Sequence, residues 1–304
     1  MLSQVKSMCL LGLTGYLVTV QVDISNGLPM WDIVGLPDTS VRESKQRVHA
    51  ALKNIGMALP SRKITINLAP AHLRKEGSYF DLPIAIGILN NFNQVSEKYL
   101  SDSLFIGELS LDGSLNKMNG VLPICLEAKK LGIKRIFLPY ENRNEISVVN
   151  ELEVYPANSL LEVIEHLNDS HKLIDFSNTF QNISFPSCFP FDYSEVKGQE
   201  NAKRALEIAA AGNHNCLLIG PPGAGKSMLA KRLPSILPDL CFEEMLEVTK
   251  IHSIAGLLPQ NDSIITTRPF RAPHYTITQT ALVGGGKVPK PRGNHIISSW
   301  CSIF

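Results

Sequence analysis

No run of about 18 apolar residues occurs anywhere in the 304, so a membrane-spanning helix is excluded. Cysteine is scarce and scattered. Cys9, Cys125, Cys188, Cys216, Cys241 and Cys301 include no close pair, so neither zinc-ligand spacing nor a redox dithiol is present. Reduced core thiols in a cytoplasmic protein are expected. An excess of one charge is missing too: 29 Lys and Arg against 28 Asp and Glu leave a net +1. That balance excludes a chain that coats nucleic acid by bulk charge, and any such site must be local. The start, MLSQVKSMCLLGLTGYLVTVQVD, lacks the pattern of a signal peptide, because polar residues and Asp23 follow its short apolar run. It reads as a first strand. What is present, 44% hydrophobic and 19% charged residues, is the composition of a folded chain, and at about 150 residues per domain two domains are expected.

Residues 13 to 36 alternate apolar and polar positions around Asn26-Gly27, which predicts a hairpin of two antiparallel strands. Thr39 to Leu52 carries Val41, Val48, Ala51 and Leu52 at helical spacing, with Gly56 beyond its end. A strand is predicted at Ile64–Leu68, a buried helix at Leu82–Leu89, a turn at Ser110–Gly113, a helix through Leu126–Leu131 closed by Gly132, and a strand at Lys134–Pro139. Residues 1–168 thus read as a mixed α/β domain. Residues 169–194 lose this periodicity and read as a linker whose phenylalanines dock on a domain. From 195 a second unit opens, with an alanine-rich helix at Gln199–Ala211 and an apolar, buried parallel strand at Cys216–Ile219.

The sharpest signal follows that strand. Gly220-Pro221-Pro222-Gly223-Ala224-Gly225-Lys226-Ser227 has two glycines five apart followed by Lys-Ser, the P-loop spacing, between a predicted strand and a helix opening Met228-Leu229-Ala230-Lys231. Gly220, Gly223 and Gly225 permit the backbone angles of a phosphate nest, and the next helix points its positive end at the same place. Lys226 is expected on the β- and γ-phosphates of ATP, and the Ser227 hydroxyl on Mg²⁺. Downstream, RPFRAPHY (268–275) and Gly284-Gly285-Gly286-Lys287 form a basic segment that prolines keep from being one helix. It is either a solvated hairpin or a pore-facing loop in which Arg271, Lys287 and Lys290 meet nucleic-acid phosphates.

VKGQENAKRALEIAAAGNHN, LLIGPPGAGKSMLAKRLPSILP, EVTKIHSIAGLL and RPFRAPH followed by ALVGGG together resemble the AAA+ module of the magnesium-chelatase-like ATPases, the ComM/YifB family. Tyr275 stands where that family usually has a second histidine. GLPDTSVRESKQRVHAAL and PAHLRKEGSYFDLPIAIGIL resemble its amino-terminal domain, similar in fold to the proteolytic domain of Lon. The resemblance implies an α/β fold with a Lon-like domain at 1–168 and a partial AAA+ P-loop domain at 195–291. Around Val196-Lys197-Gly198-Gln199, ring-forming ATPases of this type place backbone around adenine. A Lon-type peptidase needs a serine activated by a lysine. Laid on Lys75-Glu76-Gly77, the serine position falls at Tyr79 and the lysine position near Leu122, with Ser78 one residue away. A non-proteolytic scaffold with no catalytic residue is therefore expected.

The resemblance covers about residues 5 to 291. After Pro289-Lys290-Pro291 the family continues into a strand ending in the acidic Walker B pair, whereas residues 292–304 read RGNHIISSWCSIF. Synonymous codons for this tail, shifted by one nucleotide, spell much of the family's continuation, so a frameshift truncating the ATPase module is the expected origin. No apolar run followed by Asp-Glu occurs after Ser227. The reading is thus an ATP-binding, hydrolysis-defective chain whose intact relatives are hexameric DNA branch-migration motors in natural transformation. The alternatives are a binding or assembly module with a vestigial ATPase fragment, and, more weakly, a chelatase subunit.

Overall fold

The structure, a computed structural model, describes residues 2–57, 60, 62–177, 191–259, 263–270 and 272. The chain divides into two compact units, one of Met1–Phe180 with Gly256–Ser263, the other of Gln181–Ala255 with Ile264–Phe304.

The first unit is built on a mixed, mostly parallel sheet of seven strands. In chain order its elements are β1 (Leu2–Leu11), β2 (Thr14–Ser25), β3 (Met30–Val34), α1 (Thr39–Asn54), β4 (Lys63–Ala69), α2 (Asp81–Asn91), β5 (Ser103–Phe105), β6 (Glu108–Leu109), β7 (Leu115–Asn116), α3 (Val121–Lys130), β8 (Arg135–Pro139), β9 (Glu153–Ala157) and α4 (Leu160–Leu167). The sheet order is β3-β4-β2-β1-β5-β8-β9, with β6 and β7 as a separate two-stranded ribbon. β1 and β2 are joined by a two-residue loop with Gly12 at φ +64°.

The expected hairpin at Asn26-Gly27 does not form. β2 pairs antiparallel with β4, and β3 lies outside β4, parallel to it. The cause is the element that follows β3: α1 carries the chain across the sheet, and a β-helix-β crossover returns its second strand parallel to its first. The inner place goes to β4, whose Ile64, Ile66 and Leu68 are all buried, while β3 leaves Met30 and Val34 exposed at the sheet edge.

α1 begins at Asp38, whose carboxylate accepts from the Val41 N–H at 2.8 Å, an N-cap of ordinary geometry. α2 lies against β1 and β2, and Gly87 lets it come close. A β-carbon at 87 would stand 2.8 Å from Cγ2 of Val22. Ser3 Oγ donates to the Gly87 carbonyl at 2.7 Å, and Asn91 Nδ2 donates to Ser3 Oγ at 2.8 Å and to the Val22 carbonyl at 2.9 Å. Between α1 and α2 lies a buried ion pair. Arg47 donates from Nε at 2.6 Å and from a terminal nitrogen at 3.0 Å to the Asp81 carboxylate, which also accepts from the Leu109 N–H at 3.1 Å.

Residues 169–177, expected as the start of a linker, run as a strap over the outer edge of β9. The Leu173 N–H donates to Nδ1 of His166 at 3.0 Å, the Val154 N–H to Asp175 at 2.9 Å, and the Phe176 N–H to the Val154 carbonyl at 2.8 Å. His166 is buried against Tyr155 and Phe137, and burial lowers its pKa.

The second unit contains a single turn of 3-10 helix at Tyr193–Glu195, α5 (Glu200–Gly212), α6 (Lys226–Arg232), a 3-10 turn at Leu233–Ile236, and α7 (Phe242–Ala255). The strand expected at Cys216–Ile219 is not formed: these residues are irregular, with Leu217 82% and Ile219 87% exposed. A buried parallel strand needs neighbours for its N–H and C=O groups. Among the described residues of this unit there is none.

Candidate functional site

α6 starts at Lys226, inside the P-loop segment and two residues earlier than the expected helix start. Gly223 (φ +81°) and Gly225 (φ +85°, the N-cap) are left-handed, a backbone that residues with a β-carbon rarely adopt. Gly220 is not left-handed, and a β-carbon there would make only ordinary contacts at 3.8 and 4.0 Å. Its contribution is its carbonyl. The Lys226 ammonium donates to the carbonyls of Gly220 and Pro221, both at 2.8 Å, which closes the loop on itself. An ammonium has three donors, so the geometry leaves a third for a phosphate oxygen.

The first intrahelical bond of α6 runs from the Leu229 N–H to the Gly225 carbonyl at 2.9 Å. The N–H groups of Lys226, Ser227 and Met228 therefore belong to the first turn, which has no intrahelical acceptors, and the helix dipole places positive charge there. Pro221, Pro222 and Ser227 are exposed, and Ala224 is half-buried. The donor set, with one ammonium and a turn of backbone N–H groups, fits a polyphosphate.

Apolar packing fixes the helix. Leu229 is buried with Tyr193, Val196 and Leu206, and Leu233 and Ile236 pack against the same cluster. The Tyr193 hydroxyl donates to the Lys203 carbonyl at 2.9 Å, tying the 3-10 turn to α5. Lys197, Gly198 and Gln199 are exposed, with Gly198 at φ +69° and Gln199 at φ +59°. Arg268, which opens the basic segment, is spent inside the unit: it donates to the Pro238 carbonyl at 2.6 Å and pairs with Glu244 at 3.3 Å. Arg271, Lys287 and Lys290 lie outside the described residues, as does the 292–304 tail.

The Lon-like positions sit in the first unit. Tyr79 donates its hydroxyl to the Asn119 carbonyl at 3.0 Å, and burial pushes its pKa up to about 12. Leu122 is fully buried near the start of α3, and its N–H donates to Glu145 at 2.9 Å. The Ser78 hydroxyl donates to the Glu108 carboxylate, which also accepts from Asn116 at 3.2 Å. Lys75 is fully buried, its ammonium donating to the Pro70 carbonyl. Glu108 and Glu145 leave no signal in the sequence, because they meet their partners across 30 and 23 residues respectively.

Left-handed glycines ahead of a lysine that opens a helix, in a chain led by a mixed α/β unit, form a loop whose donors suit a phosphate chain. Two family models agree: "Subunit ChlI of Mg-chelatase" matches residues 20–142, and "Magnesium chelatase, subunit ChlI" matches residues 192–297. The chain belongs to the magnesium-chelatase-like ComM/YifB family. It is 42% identical over 295 residues to competence protein ComM of Haemophilus influenzae, covering 95% of this chain and 57% of that one. It is also 42% identical over 290 residues to YifB of Escherichia coli, covering 95% and 56%. Lon protease 2 of Bacillus subtilis is similar at 25% identity over 148 residues, covering 46% of this chain and 26% of that one. The chain thus spans a little over half the length of the family members it matches. Among the described residues, no helix is long and apolar enough to cross a membrane.

Proposed function

We propose that this chain is an ATP-binding protein, holding ATP·Mg²⁺ at Gly220–Ser227 without turning it over. The observation that carries this is Lys226, fixed by two loop carbonyls at the mouth of α6 directly after left-handed Gly223 and Gly225. Lys226 holds the β- and γ-phosphates, the backbone N–H groups of 223–227 surround them, and the Ser227 hydroxyl binds the metal. The Mg²⁺ supplies charge neutralisation between phosphate oxygens when bound. The reading of no turnover rests on residues 228–304, among which no apolar run ends in an Asp-Glu pair of the kind that positions the metal and the attacking water. Arg271, Lys287 and Lys290 are the proposed contacts to DNA phosphates, and assembly as a hexamer in the cytoplasm is part of the same reading. The first domain, 1–168, serves as a scaffold without peptidase activity: Tyr79 and Leu122 stand where a nucleophile and a base are needed, and Ser78 faces a carboxylate.

The test is equilibrium binding of ATP with and without Mg²⁺, paired with phosphate release, on the 304-residue chain and on Lys226→Ala. Removing charge-assisted hydrogen bonds worth about 1.5–3 kcal/mol weakens binding by roughly ten- to a hundredfold. Weak, Mg²⁺-responsive binding is expected that Lys226→Ala loses, with phosphate release equal in both. Binding indifferent to Lys226 sinks the site. Turnover that depends on Lys226 sinks the claim of defective hydrolysis.

A further inference from the structure

We propose that the outer face of α1, in the first unit, is a docking strip for the phosphate backbone of nucleic acid, an inference that does not depend on the nucleotide site. Arg42, Lys45, His49 and Lys53 recur every three or four residues, so they stand in one line along the helix, and all four are exposed. Gln46 is exposed beside them. Among the described residues, none of Arg42, Lys45 and Lys53 pairs with a carboxylate. Exposed cations elsewhere on this unit do so: Lys98 with Asp169 at 2.9 Å, Lys129 with Glu151 at 3.1 Å, and Lys134 with Asp102 at 2.9 Å. The one carboxylate inside α1, Glu43, lies beside Arg47 at 3.9 Å.

The helix itself gains little from this arrangement. Arg42 and Lys45 are like charges one turn apart, and Arg42 closes a first turn that holds no acidic residue, where the dipole disfavours a cation. Only Lys53, in the last turn, suits the dipole. An anion of matching length laid along the strip offsets both costs. At about 1.5 Å per residue, Arg42 to Lys53 spans about 16 Å, close to about five phosphate steps of one duplex strand at about 3.4 Å each. His49 is steadied by the edge of the Trp31 ring, with 5.7 Å between ring centres. At a net charge of +1 the chain as a whole has little pull on a polyanion, so the attraction is local to the strip. A membrane is the other broad anionic surface, but a helix that lies on one presents large apolar side chains to it. Those of α1 are turned inward: Val41, Val48, Ala51 and Leu52 are all buried in the core. Contacts to phosphate carry no sequence information, so the strip grips nucleic acid without reading bases.

The test is fluorescence anisotropy of two labelled DNA duplexes of unrelated sequence with the whole chain, measured across salt concentrations. Both duplexes should bind alike. Each phosphate contact contributes about 0.9 to the slope of log affinity against log salt, so Arg42→Gln with Lys45→Gln and Lys53→Gln should flatten that slope by about 2.7. The same fall is expected in a chain already carrying Arg271→Gln, Lys287→Gln and Lys290→Gln, and in Lys226→Ala, so failure of the strip is distinguishable from failure of the sites in the second unit. An unchanged slope overturns the strip, and so does a parent chain that binds neither duplex. Loss of binding to phosphatidylserine vesicles in the triple α1 variant, with duplex binding intact, assigns the face to lipid headgroups and overturns it as well.

Discussion

Replacing Arg47 with methionine keeps the stem that packs between α1 and α2 but removes both donors to Asp81. That carboxylate is 0% exposed and would retain the Leu109 N–H and Ser44 as partners. Stranding a buried charge by removing its partner costs about 3–5 kcal/mol. The remaining donors put this case at the low end, near 3 kcal/mol, and at about 2–4 °C per kcal/mol for a domain of this size the melting midpoint falls by roughly 6–12 °C. The assay is thermal and urea unfolding followed by circular dichroism on the whole chain, repeated across pH. Burial raises the Asp81 pKa even with Arg47 present, and losing the arginine raises it further. A raised carboxyl pKa means stability that is present below the unfolded value and lost as pH rises through the folded one. The deficit of Arg47→Met against the parent must therefore shrink as pH falls toward the carboxylate range. Arg47→Met with Asp81→Leu should recover most of the loss, since no charge then remains buried. A loss below about 1 kcal/mol, or a double variant no better than the single one, refutes the reasoning.

Two further outcomes are expected. Tyr79 titrates near pH 12 instead of 10, so its buried phenol favours the fold fully below pH 10, and that contribution disappears as pH rises toward 12. Burial also pushes Tyr155 up to about 12, so ultraviolet titration of Tyr79→Phe should lower the amplitude of the late-ionising step by one phenol, and an unchanged amplitude assigns that step elsewhere. His166, whose pKa is lowered, favours the fold above its ordinary 6.5, and this is lost as pH falls through the folded value. Protonation removes the Nδ1 acceptor of the Leu173 N–H, so exchange of that amide should quicken at acid pH, and His166→Gln should abolish the pH dependence; a flat profile in the parent counts against it.

Where a segment's neighbours are its own sequence neighbours, the fold could be read. α1 was visible because Val41, Val48, Ala51 and Leu52 share one face, and β4 because Ile64, Ile66 and Leu68 alternate. Of the glycines ahead of α6, Gly223 and Gly225 stand where the backbone turns left-handed, as their spacing suggests, whereas Gly220 does not. Pairing of β3 was misread because Asn26-Gly27 is a local signal, whereas the parallel partner is chosen by a helix that comes later. Cys216–Ile219 was misread for a related reason: an apolar run states a preference for burial but not whether neighbouring strands surround it. Residues that hold one another across long separations left no pattern at all, as with Arg47 and Asp81, 34 positions apart, and Glu195 and Arg232, 37 apart.

The strap on β9 also acts as a length of stored rope. Tension arriving at Ser177 meets Asp175 and Phe176 on Val154 first, then Leu173 on His166, then Asp169, which is held by Lys98 and Tyr99 at 2.9 Å each. These fastenings lie in series along the chain, so a pull undoes them one after another instead of all at once. Paying out residues 169–177 adds about 30 Å of extended chain. The length of chain free up to Ser177 is therefore counted in hydrogen bonds as well as in residues.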